Sequence, residues 1–240
     1  MFPNWFHILA ALTICLGFLS AGVVFVDVLR HPQHMAIMNI VWPVTALFGT
    51  IPLVLAYFAY GRLASRDAMM EEKSRGEQIK IPFPVMVGKG ALHCGSGCMI
   101  GDVIAEWLAF AMPAIAVALG WQTLFHEKMF AVWILDFIFA FALGIVFQYF
   151  AIAPMRGLSV GDGLKAALKA DTLSLIAWQV GMYGAMAVLQ LLVFPKVFGI
   201  KAEVNSLEFW FAMQIAMICG FATSYPVNWY LISAGVKEKM

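Results

Sequence analysis

Six apolar runs, each about 20 residues or longer, dominate this sequence and limit what it can fold into. They lie near Trp5–Val28, Ala36–Tyr60, Ala91–Leu119, Met129–Ala153, Ala166–Phe194 and Leu207–Ala234. A helix of that length matches the thickness of a bilayer's hydrocarbon. Barrel strands would alternate apolar and polar residues, and these runs do not. Hydrophobic residues make up 62% of the chain and charged residues only 12%, too skewed for a water-soluble core. The expected fold is an all-α polytopic membrane bundle of about six transmembrane helices, with residues 1–240 forming one transmembrane domain. The first run lacks a basic leader and exceeds a signal peptide's apolar stretch, so it reads as a retained helix.

The one clearly polar connection is 61–90, which predicts a short surface helix ending before the Ile81-Pro82-Phe83-Pro84 breaker. Orientation follows from basic residues. With six spans, Arg62, Arg66, Lys73, Arg75, Lys80, Lys89, Arg156, Lys165, Lys169, Lys237 and Lys239 share one side. Arg30, Lys128, Lys196 and Lys201 share the other. The positive-inside rule then puts both termini in the cytoplasm. Pro43, Pro113 and Pro226 fall inside the expected spans and predict kinks.

One span carries an unusual face. Cys94, Cys98, Asp102 and Glu106 recur every four residues, so a helix stacks two thiols and two carboxylates along one stripe. Ionisable groups at membrane depth are costly and mark ion or substrate paths. Thiols and imidazole are the preferred ligands of soft or borderline ions, which makes His93, Cys94, Cys98 and Asp102 candidate metal ligands for copper or zinc. Glu106, Asp136, Asp171 and Asn228 are the candidate proton relay or ion path. By helical rise, the thiols would sit near the cytoplasmic edge, Asp136 level with Glu106 and Asp171 level with Cys98. Lys169 or Lys165 could neutralise Asp171. Gly95, Gly97 and Gly101 either let helices approach closely or mark an unwound segment. All four cysteines lie in apolar runs and read as free thiols.

Several stretches resemble a prokaryotic family of integral membrane proteins catalogued only as a domain of unknown function. They are Met38–Leu47, His93–Cys98 with Gly101–Glu106, Ala142–Phe150, Ala167–Ser174 and Phe221–Trp229. The resemblance spans about 36–240 and implies a six-helix domain in the prokaryotic inner membrane. It implies no established activity. Some relatives of that family are associated with copper-protein domains, which favours copper.

The leading expectation is a transporter or metal-handling protein for a soft cation, copper first, bound by the Cys-x3-Cys face with a carboxylate relay beyond it. A membrane thiol oxidoreductase or other membrane enzyme is the alternative, and a structural subunit of a membrane complex the second. The expected partners are the lipid bilayer and a small cation. A second copy of the chain, as a homo-oligomer, or a membrane partner protein is a further expected partner. A net charge of +1 gives no electrostatic basis for nucleic-acid binding. The sequence has no P-loop to couple it to ATP, and no HExxH or GxSxG to suggest hydrolysis.

Overall fold

A computed structural model describes residues 1–75 and 81–238, apart from the side chains of Glu72, Lys73 and Met155. Lys80 and Lys239, part of the charge reading above, lie outside the described residues. The described residues are helical almost throughout and contain no strand beyond isolated bridges. The helices are α1 (Asn4–Arg30), α2 (Met38–Ala56), α3 (Arg66–Arg75), α4 (Phe83–Ala111), α5 (Pro113–Ala118), α6 (Lys128–Arg156), α7 (Val160–Ala187), α8 (Phe194–Phe198) and α9 (Leu207–Ser233). Short π and 3-10 turns, Tyr57–Gly61 and Arg62–Ala64, extend α2. A π turn at Val188–Val193 joins α7 to α8. Six helical segments are long and apolar enough to cross a membrane. The expected surface helix is α3, whose residues are mostly exposed.

Local chemistry sets the helix ends. Ser159 opens α7, its hydroxyl oxygen accepting from the Asp162 amide, and Ser206 opens α9 by accepting from Phe209. Gly157 closes α6 in the left-handed conformation, where a Cβ would be strained. Pro113 does not kink a span, contrary to expectation. It stands at the first turn of α5, where a missing N–H costs nothing, and α4 has already ended at Ala111. The prolines at 82 and 84 likewise start α4 rather than keeping helix away, so that span begins eight residues earlier than its apolar run.

The second apolar segment folds back on itself. Thr50 has φ 45° and ψ −134°, and Pro52 follows, so the helix reverses there. Its two arms then pack side by side. Trp42 meets Tyr57 edge-on, and a Cβ on Gly61 would fall 2.7 Å from the Trp42 ring. The His34 amide donates to Ala64 O at 2.9 Å, and the Arg66 amide to Pro32 O at 2.8 Å. The start and finish of this segment therefore lie at the same end of the bundle. At the turn, the carbonyl of Leu47 receives Gln214 Nε2 at 2.7 Å. That bond satisfies a backbone group the reversal leaves without its helical partner. Beyond the turn, between α1, α4 and α9, is an apolar cavity of about 440 Å³ lined by Phe18, Met99, Trp107 and Met213 among others.

This hairpin changes the topology. His7 meets Glu208 at the start of α9, whereas Glu238, after α9, pairs with Arg156 at the end of α6. The two termini thus stand at opposite ends of the bundle, not the same end as the six-span count expected. Arg30 joins the end that carries 61–75, leaving Lys128, Lys196 and Lys201 at the other. The charge asymmetry is sharper than the sequence reading gave.

Candidate functional site

The thiol and carboxylate stripe lies on α4, which is helical from Phe83 to Ala111 without interruption. The unwound alternative for its glycines is therefore not what forms. Each glycine instead admits a neighbour. A Cβ on Gly97 would fall 2.8 Å from Gly144 Cα, and one on Gly101 would fall 2.4 Å from Ala140 N, so α4 and α6 touch backbone to backbone. A Cβ on Gly95 would enter the Trp178 ring of α7. The two approaches to α6 are four residues apart on each helix and fix an antiparallel register.

That register buries the whole stripe. Cys94, Cys98 and Asp102 are fully enclosed, and Glu106 is 6% exposed. Counting from Phe83, Cys94 is about 16 Å along the helix. The thiols therefore straddle the middle of α4, rather than lying near its edge as expected. The early start of α4 accounts for the difference. The Cys94 and Cys98 side chains face each other as free thiols. Asp136 of α6 is buried beside Asp102 and Glu106, at the height the sequence suggested. From α7, Gln179 Nε2 donates to Asp102 Oδ1 at 3.4 Å.

Most of this polar material has no partner. Asp102 Oδ2, Asp136 Oδ1, Gln179 Oε1 and both ring nitrogens of His93 are buried without a hydrogen bond. Both amide atoms of Gln148 are in the same state, and the α4–α6 register puts Gln148 level with His93. Burying such groups unpaired costs about 1–3 kcal/mol each. Together they form a polar seam inside the bundle, on α4, α6 and α7.

Glu106 opens this region to one end of the bundle. It lines a cavity of about 130 Å³ together with Glu127, Lys128, Gln190, Lys201 and Glu203. Lys201 Nζ pairs with Glu127 Oε1 at 2.6 Å at the mouth. Gln190, within the π turn, holds the following loop through both atoms of the Ala202 backbone, at 2.9 and 3.0 Å.

At the other end, Asp171 is not neutralised by Lys165 or Lys169, which are exposed. Its partner is Lys237, a residue that sequence reasoning counted only as a surface charge. Lys237 Nζ lies 2.5 Å from Asp171 Oδ1, 2.8 Å from Asn228 Oδ1 and 3.1 Å from Gly90 O. Asn228 Nδ2 in turn donates to Ser174 Oγ at 2.7 Å and Ser224 Oγ at 2.8 Å. The contact with Gly90 is two turns short of Cys98 along α4. No sequence signal pointed to Lys237. It follows the left-handed Gly235, beyond any helical periodicity.

Of the expected site residues, Cys94, Cys98, Asp102, Glu106 and Asp136 form one buried column. Asp171 and Asn228 belong to a second cluster at its basic end, and His93 sits between, against the edge of Phe147. Among the described residues, no group of three or more His, Cys, Asp or Glu is arranged to hold a metal ion. His93, Cys94, Cys98 and Asp102, the expected metal ligands, are thus not arranged as one such group.

Fold and column define a multi-pass helical membrane protein with a polar interior. The chain belongs to the family described as a domain of unknown function, DUF4396, whose model matches residues 85–237. That range contains nearly all of α4, then α5 to α9, the column and Lys237, and it leaves out the hairpin and its Met38–Leu47 stretch. No curated protein and no solved structure matches the chain.

Proposed function

We propose that this protein moves a small cation across the membrane along the buried face of α4. The observation that carries the reading is the column itself. Two thiols and three carboxylates on α4 and α6 are sealed in the bundle, with several unpartnered polar atoms, and reach a cavity through Glu106. Polar groups this deep are retained where they serve a path or a relay.

Cu(I) is the cargo the thiol pair suits best. Two thiolates alone can hold this soft ion in line, whereas zinc asks for four ligands. Asp102, Glu106 and Asp136 would take up the protons that thiolate binding releases. The basic end would face the cytoplasm of a prokaryotic cell, by the distribution of Lys and Arg. The cavity beside Glu106 would then open outward.

The test is metal binding by purified protein under anaerobic, reducing conditions. The expected result is about one Cu(I) per chain, lost in Cys94→Ser/Cys98→Ser and unchanged in Cys15→Ser/Cys219→Ser. Absence of binding, or binding that survives loss of both column thiols, would remove copper as the cargo.

A further inference from the structure

We infer that Asp171, Asn228 and Gly90 form a cation site, which the chain's own Lys237 ammonium occupies as a displaceable gate at the basic end of the column. Three oxygens converge on Nζ: a carboxylate at 2.5 Å, a side-chain carbonyl at 2.8 Å and a backbone carbonyl at 3.1 Å. This is a hard-oxygen set of the kind that holds ammonium and alkali cations. The site is built rather than incidental. Both charged side chains are fully enclosed. Asn228 is oriented by Ser174 and Ser224, which bond each other at 3.1 Å. Asp171 Oδ2 has no partner, so the carboxylate keeps unused capacity for a cation.

Position makes the occupant a gate. Gly90 is one helical turn from Cys94 on α4, so Lys237 stands between the thiols and the basic end. Among the described residues, no second buried ion pair anchors it from behind. The segment after α9 is held by a turn, in which the Val236 and Lys237 amides donate to Leu231 O, and by the exposed pair of Glu238 with Arg156. A short segment on a left-handed glycine, fastened at the surface and inserting one charge, can leave without unfolding a helix.

The inference rests on reading the column as a path, and its test reads access rather than transport. The full chain carrying Cys15→Ser and Cys219→Ser is reconstituted in vesicles. Modification of Cys94 is then timed with a cationic methanethiosulfonate applied at the basic end. Lys237→Ala should speed modification by about tenfold or more, because the local opening equilibrium shifts. Methylammonium or potassium should slow it again, and choline at equal ionic strength should not. An unchanged rate in Lys237→Ala would overturn the gate. Acceleration that neither small cation reverses would overturn the cation site. If Lys237→Ala does not fold, Glu238→Gln decides the gate: a several-fold acceleration supports it, and a wild-type rate overturns it. Loss of copper flux with these access changes intact would remove the transport reading and leave the gate standing.

Discussion

Lys237 Nζ lies 2.5 Å from Asp171 Oδ1, and solvent reaches neither side chain. The two residues come from different helical contexts, 66 positions apart, and meet at the basic end of the bundle. A buried pair of this kind is weak evidence for net stability, but removing one partner is severe.

Lys237→Met alone should therefore destabilise the protein by about 3–5 kcal/mol, since it leaves an uncompensated buried carboxylate. Adding Asp171→Asn should recover much of that loss. Thermal unfolding in detergent, run as a double-mutant cycle, measures the coupling. Additive losses would mean that the contact does not hold the fold together.

The α4–α6 contact should be intolerant of bulk. A Cβ at Gly101 would fall 2.4 Å from Ala140 N, where backbone has no room to yield. Gly101→Ala should cost about 1–3 kcal/mol or more, as overpacking does. Gly184→Ala, with nothing within 4 Å of the new Cβ, should be nearly neutral. Similar melting shifts in both variants would contradict the close approach.

The hairpin makes a topological prediction. Single cysteines at the exposed positions His34 and Arg66 should react with a membrane-impermeant thiol reagent from the same side, in a chain whose native cysteines are serine. A cysteine at Asn4 should react from the opposite side, because the start of α1 lies beside the start of α9. Opposite-side labelling of positions 34 and 66 would mean that the second segment crosses the membrane.

Gln214 should matter for the same element. Its amide satisfies Leu47 O at 2.7 Å and Thr13 O at 3.3 Å. Gln214→Leu should cost about 1–3 kcal/mol by stranding a carbonyl at the turn. Hydrogen exchange should rise around 47–53 more than elsewhere. Uniform change across the chain would contradict a local anchor.

Local sequence patterns carried the helices and the α4 stripe, because a repeat of four residues states its own face. Cys94, Cys98, Asp102 and Glu106 share a buried side for that reason, and matched counting along α6 put Asp136 at the right height. What failed depended on distant contacts. The apolar run of 36–60 has the length of a span, and only the reversal at Thr50 shows that its ends meet. Gly49-Thr50-Ile51-Pro52 was the available hint, a break of regular helix in the middle of an apolar run. The starting point of α4 was hidden by its prolines, which read as a breaker but serve as a first turn. Lys237 had no periodicity around it, and its partner was assigned to nearer lysines by sequence distance.

The most direct test of the column as a cation path is copper flux in vesicles containing the full chain. Wild-type protein should admit Cu(I), and Glu106→Gln and Asp136→Asn should each slow it strongly while Cu(I) binding at Cys94 and Cys98 remains. Wild-type flux no faster than protein-free vesicles, or equal rates in wild type and both carboxamide variants, would contradict it.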